Sequence, residues 1–281
     1  MTSRPAYSRP ILALSVAILA ALLVSPRADS REPGTKAGKP LKALLITGGG
    51  YHDYERQKTI LTEGVSARAN VEWKIVHDPS KDDSHKLSLY DDPKWAEGYD
   101  VVVHNECFAN ITDAAFINRV VDAHKNGVPA VVVHCTMHTF RALKTDEWHE
   151  FLRVTTVRHG RQHPLEVKNL MPDHPIMKGF PETWTTGNEE LYWITKVWPG
   201  TTVLAQAKAE DDPARKDNAV IWEHPFGKGR VFGTTLAHNN RTMGDPVFLD
   251  MFTRGLLKSC DKLDVNGKPK PGYEASPGKA E

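Results

Sequence analysis

The sequence predicts an α/β fold: a parallel sheet with helices on both faces, in three layers. Three observations carry this expectation. Apolar runs rich in β-branched residues recur along the first half of the chain, and the run Ala130 to Val133 does not alternate with polar residues, as expected of a strand buried on both faces. Between these runs lie segments whose apolar residues repeat at i, i+3, i+4 and i+7, the helical spacing. Polar groups collect where the strands stop, in Gly48 to Asp53, Asn105 to Cys107 and His134 to His138. In open α/β sheets ligands sit at that carboxyl edge.

At the N-terminus, Arg4 and Arg9 precede an apolar run from Ile11 to Val24, too short to span a bilayer, which takes roughly 20 residues. Residues 1–30 are therefore expected to be a signal peptide cleaved after Ser30, with an uncleaved anchor as the alternative. Export would end in the periplasm or outside the cell, with no stable membrane insertion after cleavage. Residues 31–40, rich in Lys, Gly and Pro, read as a linker, and the domain is expected over 41–263. Leu41 to Thr47 is a strand, and the glycine turn after it leads into a helix whose Ile60, Leu61, Gly64, Val65 and Arg68 share one face. Val71 to His77 and Gly98 to Cys107 are further strands, separated by a polar excursion. Thr112 caps a helix carrying Ile117, Val120, Val121 and His124 and ending at Asn126-Gly127. After Leu152 the pieces become shorter and more β-like: Leu165 to Asn169, Glu190 to Ile194, Thr202 to Ala207, Ala219 to Glu223 and Arg230 to Leu236. A closing helix spans Asp245 to Cys260, and 264–281 reads as a disordered tail.

Composition narrows the partners. The 281 residues carry 36 basic and 35 acidic side chains, a formal charge of +1, so nothing favours nucleic acid. The triple glycine lacks both phosphate-binding signatures. Three cysteines, Cys107, Cys135 and Cys260, have no metal-type spacing; at most one disulfide can form, and the sequence does not say between which pair.

Right-handed crossovers bring the ends of the parallel strands to one edge. There His52, Asn105, Glu106, His134 and His138 would converge. An imidazole at a strand end serves as a general base or as a metal ligand; the plainer alternative is a hydrogen-bonded histidine closing the strand. His138 would face solvent if it began a helix. Cys135 as a nucleophile needs a nearby base and a depressed pKa, against the alternative of an inert buried thiol.

An ordered series of short motifs resembles the ThuA-like proteins, named for trehalose utilisation, within the class I glutamine amidotransferase-like superfamily. The series comprises Gly48 to Asp53, Tyr99 to Val103, the strand ending at His134, His163-Pro164, Asp173 to Ile176 and Glu189 to Tyr192. It continues through Val220 with Trp222, Gly227 to Val231 and Ala237-His238. The resemblance covers roughly Leu41 to Leu263. It implies a flavodoxin-like three-layer fold with extra β segments in the C-terminal half. It also implies a link to sugar metabolism, including glycosides with an oxidised (keto) carbon. Where glutamine amidotransferases carry a nucleophilic Cys, His134 stands here with Cys135 after it, and the flanking glycines are missing, which argues against glutaminase chemistry.

The family's matching carboxylate is Glu190. Glu189 and Glu190 would point to opposite faces of an extended strand, so only one of them enters a pocket. These readings combine into an exported protein of carbohydrate metabolism in which His134, His52 and Glu190 move protons on a sugar or keto-glycoside. The reaction class expected is hydrolysis, elimination or isomerisation. Gly49, Gly50, Asn105 and Glu106 would contact the sugar from the early strands. His163, Tyr192, Trp222 and His238 would contact it from the later ones, the two aromatics by stacking on a pyranose face or else as core residues. The histidines leave a divalent metal such as zinc open. A non-catalytic sugar-binding or protein-interaction module is the alternative from another class.

Overall fold

The computed structural model of the chain describes residues 1–2 and 38–275. The expected signal peptide, apart from Met1 and Thr2, and most of the linker lie outside the described residues. Contacts divide the chain into Met1–Gly34 and Thr35–Glu281, and every helix and strand named below belongs to the second unit.

Alternation of side chains about nearly continuous apolar runs produces two cores, one on each face of a sheet. In β1 (Leu41–Gly49), Leu41, Ala43 and Leu45 join one core and Leu44 and Ile46 the other. Helix α1 (Tyr54–Ser66) packs Leu61 and Val65 into the first core and leads to the edge strand β2 (Val71–Asp78). Strand β3 (Val101–Cys107) is buried along its whole length, and α2 (Ala114–Lys125) sends Phe116, Ile117 and Val120 into the second core. Its N-cap is Asp113, whose carboxylate accepts from the Phe116 amide at 3.1 Å. That is one residue beyond the expected Thr112, because a carboxylate caps and favours the positive helix end at once. Strand β4 (Ala130–Val133) divides its four residues evenly between the cores.

The short helix α3 (Glu147–Leu152) covers the second core with Trp148 and Phe151, and β5 (Val154–Thr155) leaves it. Then come β6 (His159–Asn169), β7 (Thr183–Tyr192), β8 (Lys196–Val197), β9 (Thr202–Ala207), β10 (Asn218–Phe226) and β11 (Gly229–Thr234). A turn of helix, α4 (Asn240–Met243), precedes α5 (Pro246–Ser259), whose Phe248, Phe252 and Leu256 close the first core. β5 and β8 form a separate two-stranded pair.

The main sheet has nine strands in the order β2-β1-β3-β4-β11-β10-β9-β6-β7. The first five are mutually parallel and each later pair is antiparallel. This is the expected three-layer α/β arrangement, enlarged by an antiparallel extension. Counting reversals from β11 shows that β7 runs in the parallel direction, so its C-terminal end and the start of β6 share the carboxyl edge of the parallel strands. β6 pairs with β9 only through Val167, Lys168 and Asn169. Its first half therefore has only β7 as partner and leaves the sheet as a two-stranded ribbon. Register shifts next to Gln162 and Glu166 interrupt that ribbon, and irregularities of this kind bend and twist a strand pair.

Two expectations change here. Strands β6 and β7 begin six and seven residues earlier than the apolar runs indicated, because the ribbon half of β6 is polar and mostly exposed and β7 alternates exposed and buried residues. The segment 264–275, read as part of a disordered tail, is instead held: Lys270 donates to the Lys262 carbonyl at 2.8 Å, Asn70 to the Tyr273 carbonyl at 3.0 Å, and Glu274 bridges Ala69. Tyr273 packs on the first core. Backbone pairing, not apolar content, fixes this stretch. Among the described residues no helix is long and apolar enough to cross a membrane.

Two buried histidines give the fold an acid-sensitive element. Burial first, with the neighbouring His104 imidazole adding to it, drives His124 down to about 3, and burial does the same to His224. Burial keeps both neutral even though each ring donates to a backbone carbonyl, Val128 and Phe151 respectively at 2.9 Å, a contact that by itself favours the charged form. In the unfolded chain they take up a proton near pH 6.5. Between about 6.5 and 3 the unfolded state then binds more protons, so stability falls as pH falls through that window. Urea denaturation at pH 7 and pH 5 should give a lower midpoint at pH 5, and His224→Gln should reduce the difference. An unchanged midpoint contradicts it.

Candidate functional site

Three strand ends each deliver one imidazole to the carboxyl edge. After β1 the chain turns through Gly48 (φ 139°) and Gly49 (φ 90°), and at Gly49 the Cys107 carbonyl occupies the space a side chain would need. This turn sets Tyr51 and His52 just ahead of Asp53, the N-cap of α1. After β4 a 3-10 turn, His134–His138, begins immediately. After β11 the chain reaches His238 through Ala237. The ring centroids of His52, His134 and His238 lie 4.8, 5.0 and 5.2 Å apart. Of the groups whose convergence the topology predicts, His52 and His134 meet here, and His238 joins them.

Backbone geometry is unusual at each of these deliveries. Of seven described non-glycine residues with positive φ, Tyr51 (85°), His134 (45°) and Ala237 (79°) sit in or beside the cluster. Such conformations cost roughly 1–3 kcal/mol each and persist where surrounding contacts over-determine them. Those contacts are visible. His134 Nδ1 donates to the Thr235 carbonyl at 2.7 Å, which turns Nε2 toward the other rings. Gln57 donates to the His238 carbonyl at 3.2 Å, and Asn240 to the Asp53 carboxylate at 2.7 Å, tying the loop after β11 to the start of α1.

The β6–β7 ribbon supplies the fourth side. Glu190 Oε2 lies 3.3 Å from His238 Nδ1, 3.5 Å from His159 Nε2 and 3.8 Å from His134 Nε2. Its other oxygen accepts from Gln162 at 3.2 Å. Tyr192 stacks on His138 at 4.2 Å with an interplanar angle of 5°, and its hydroxyl stands 3.4 Å from His134 Nε2. Apart from His134, which is buried behind them, these groups line a cleft of about 250 Å³ together with His52, Arg141 and the exposed Tyr51. Small-molecule sites run from roughly 300 Å³ upward, so the space suits one sugar ring better than two.

Burial decides most of the charges. It lowers His52 to about 4, with the His238 imidazole adding to the effect, and holds His134 well below the usual imidazole range. Both are neutral near pH 7. Burial opposes protonation of His238 as well, but the hydrogen bond and charge of Glu190 outweigh it and raise its pKa. For Glu190, burial pushes upward while its hydrogen bond and charge pairing with His238 hold it below the ordinary carboxylate range. Glu189 differs: burial lifts it to about 7, and its Oε2 accepts from the His238 amide at 3.0 Å. One glutamate thus faces the cleft and its neighbour fixes the loop behind it.

Several expected site residues lie elsewhere. Glu106 is fully buried (0% exposed) on the opposite face of β3, bonded to His104 Nδ1 at 2.8 Å and to the Tyr90 hydroxyl at 2.9 Å. Strand alternation gives the cleft side to Asn105 and Cys107 instead, and Asn105 is itself buried against Thr47 and Gln57. Trp222 is a core residue, 0% exposed, with its indole N–H donating to the Leu152 carbonyl at 2.9 Å. His163 faces Asp211, 3.6 Å away, and does not line the cleft. Gly49 and Gly50 shape the turn without lining the cleft. His138, which would have faced solvent had it begun a helix, is buried in the cleft wall because the 3-10 turn coils inward.

Cys135 is joined to Cys107 by a disulfide, with Cα atoms 5.4 Å apart, and so offers no thiol; the nucleophile reading falls. β3 and β4 are neighbours, and their ends bring these two sulfurs together. His159, Gln162, Tyr51 and Arg141 escaped the sequence reading. The stretch His159 to Pro164 is polar with no apolar alternation, so nothing in it signalled that β6 starts early enough to bring the first two into the cleft.

A family model described as ThuA, trehalose utilisation, matches residues 42–257. No curated protein matches. Among solved structures, a protein described as ThuA-like from Parabacteroides merdae superposes with a TM-score of 0.63 at 19% identity, covering 84% of this chain and 98% of that one. One from Bacteroides uniformis, also described as ThuA-like, gives 0.63 at 16%, with 84% and 98% covered. A Thermoplasma acidophilum protein described as a GMP synthase subunit gives 0.50 at 13%, with 79% and 95% covered. At these identities the likeness to the solved structures is one of fold, and it joins ThuA-like and glutamine amidotransferase-like sheets.

Proposed function

The chain belongs to the ThuA family of trehalose utilisation, and on that premise we propose that it is an exported protein of carbohydrate metabolism performing acid/base chemistry on a keto-sugar or keto-glycoside. The observation that carries the reading is Glu190: an ionised carboxylate in a one-ring cleft, within 3.8 Å of three imidazole nitrogens. A hydrogen next to a ring carbonyl is far more acidic than one on an ordinary sugar carbon. A carboxylate in a partly desolvated cleft is then a sufficient base, and the same group returns the proton to a leaving oxygen or a neighbouring carbon. Burial pushes the Tyr192 phenol well above its usual range, so it stays protonated and is placed to donate to a substrate oxygen. His52, neutral, lines the same space, and His134, also neutral, stands behind it with Nε2 3.3 Å from His238 Nδ1. The Cys107–Cys135 disulfide supports export, because such bonds persist mainly in oxidising compartments.

The experiment is a turnover screen of the purified full chain on a keto-glycoside panel, with Glu190→Gln as comparator and calorimetry with mono- and disaccharides alongside. Turnover by the wild type alone supports the reading. Saccharide binding with no turnover by either protein replaces it with a non-catalytic binding module.

A further inference from the structure

We propose that His52, His134 and His238 bind one divalent transition-metal ion of the zinc class, with Glu190 beside it and an open position facing the cleft. One candidate nitrogen from each ring, all three within 4.8 Å of one another, defines the site. Ligand atoms around a tetrahedral ion with bonds of about 2.0–2.1 Å lie roughly 3.3 Å apart. His134 Nε2 and His238 Nδ1 already stand 3.3 Å apart, and Glu190 Oε2 is 3.3 and 3.8 Å from His238 Nδ1 and His134 Nε2. The His52 nitrogen, within 4.8 Å of the other two, completes the set once its ring moves toward them.

The remaining ring contacts have the pattern that metal-ligating histidines show, in which the nitrogen away from the ion donates to a backbone carbonyl. His134 donates through Nδ1 to the Thr235 carbonyl, which leaves its Nε2 unprotonated and 3.3 Å from His238 Nδ1. Lone pairs turned toward one another repel unless a proton or a cation lies between them. The second buried imidazole pair differs: His104 and His124 meet nitrogen to nitrogen at 2.9 Å in an ordinary hydrogen bond, with Glu106 closing the chain.

The donor set selects the ion. Three imidazole nitrogens suit zinc, cobalt or nickel rather than calcium or magnesium, which take oxygen ligands. Three protein nitrogens with cleft space at the remaining position is the arrangement of an ion that meets substrate, not of a closed structural site. The ligand completing the shell would be a carbonyl or hydroxyl oxygen of the sugar. With the ion in place, Glu190 is the group left to move the proton. The inference rests on the reading of this cleft as the functional site and extends it.

The test uses the full chain stripped with a chelator and dialysed, titrated separately with Zn(II) in a calorimeter and with Co(II) in the visible spectrum. The expected result is one ion per chain, with Co(II) bands of the intensity that tetrahedral sites give. His52→Gln and His134→Gln should each weaken binding on the order of 100-fold or more. His85→Ala, a half-exposed histidine on the polar excursion, should bind as the wild type does. Circular dichroism checks that the variants are folded, and a rise in Tm on adding Zn(II), seen in the wild type and His85→Ala only, repeats the assignment independently of heat measurements. Substoichiometric binding, or stoichiometric binding unaffected by His52→Gln and His134→Gln in folded protein, overturns the inference. The two ideas fail separately. Failed metal binding by protein that still turns over keto-glycosides removes the ion and keeps the acid/base reading; a bound ion with no turnover does the reverse.

Discussion

Glu190→Gln should lower kcat/KM on a keto-glycoside by roughly 10²–10⁴-fold, the usual contribution of a positioned acid or base. The substitution is nearly isosteric and preserves an acceptor for Gln162, which now donates to Oε1 at 3.2 Å. What it removes is the negative charge that raises the His238 pKa and the ability to take a proton. Glu190 lies at the cleft surface rather than in a core, so stability should change by less than about 1 kcal/mol. KM should move little, since the loss concerns the step and not the fit. A variant that keeps wild-type kcat/KM would remove Glu190 from the chemistry.

Trp222→Ala should destabilise the protein by about 3–5 kcal/mol, the range for deleting a large aromatic from a packed core. The indole is fully buried, its N–H is spent on the Leu152 carbonyl, and its ring lies against Gly233 so closely that a Cβ there would collide with it. Truncation leaves a cavity and an unpaired carbonyl together. Such a loss is a large share of a typical stability of roughly 5–15 kcal/mol, so Trp222→Phe, which loses the hydrogen bond but fills most of the volume, provides a milder companion. Urea denaturation measures both. Sugar affinity in the folded fraction should be unaffected; a stable Trp222→Ala protein that had lost saccharide binding would restore the stacking role the sequence suggested.

The parallel half of the sheet was legible because its strands are buried on both faces and leave unbroken apolar runs, and because right-handed crossovers fix which end faces which. That logic reached His52 and His134, each following such a run, whereas His238 came through the family resemblance. Parity along β3 was where it failed: Glu106 and Asn105 are adjacent in sequence, and only the structure says which face packs under α1 and which under α2. The ribbon was harder to read. Glu190 was reached through the family resemblance, whereas His159 and Gln162 depend on the register between β6 and β7 and on where β6 parts from β9, contacts set by packing far away in sequence. The cysteine pairing has the same origin. Cys107 and Cys135 are 28 residues apart and meet because β3 and β4 are neighbours, a fact about sheet order that spacing does not contain.

The central claim is that a sugar meets the imidazole cluster and Glu190 in one cleft. It is tested most directly by titrating a keto-monosaccharide into the protein while following the ring C–H resonances of its 13 histidines by NMR, assigned through single His→Gln variants. The resonances of His52, His134, His159 and His238 should move together along one binding curve, with His85 and His174 unchanged. Shifts confined to histidines outside the cleft, or no shift at saturating sugar, would contradict the account.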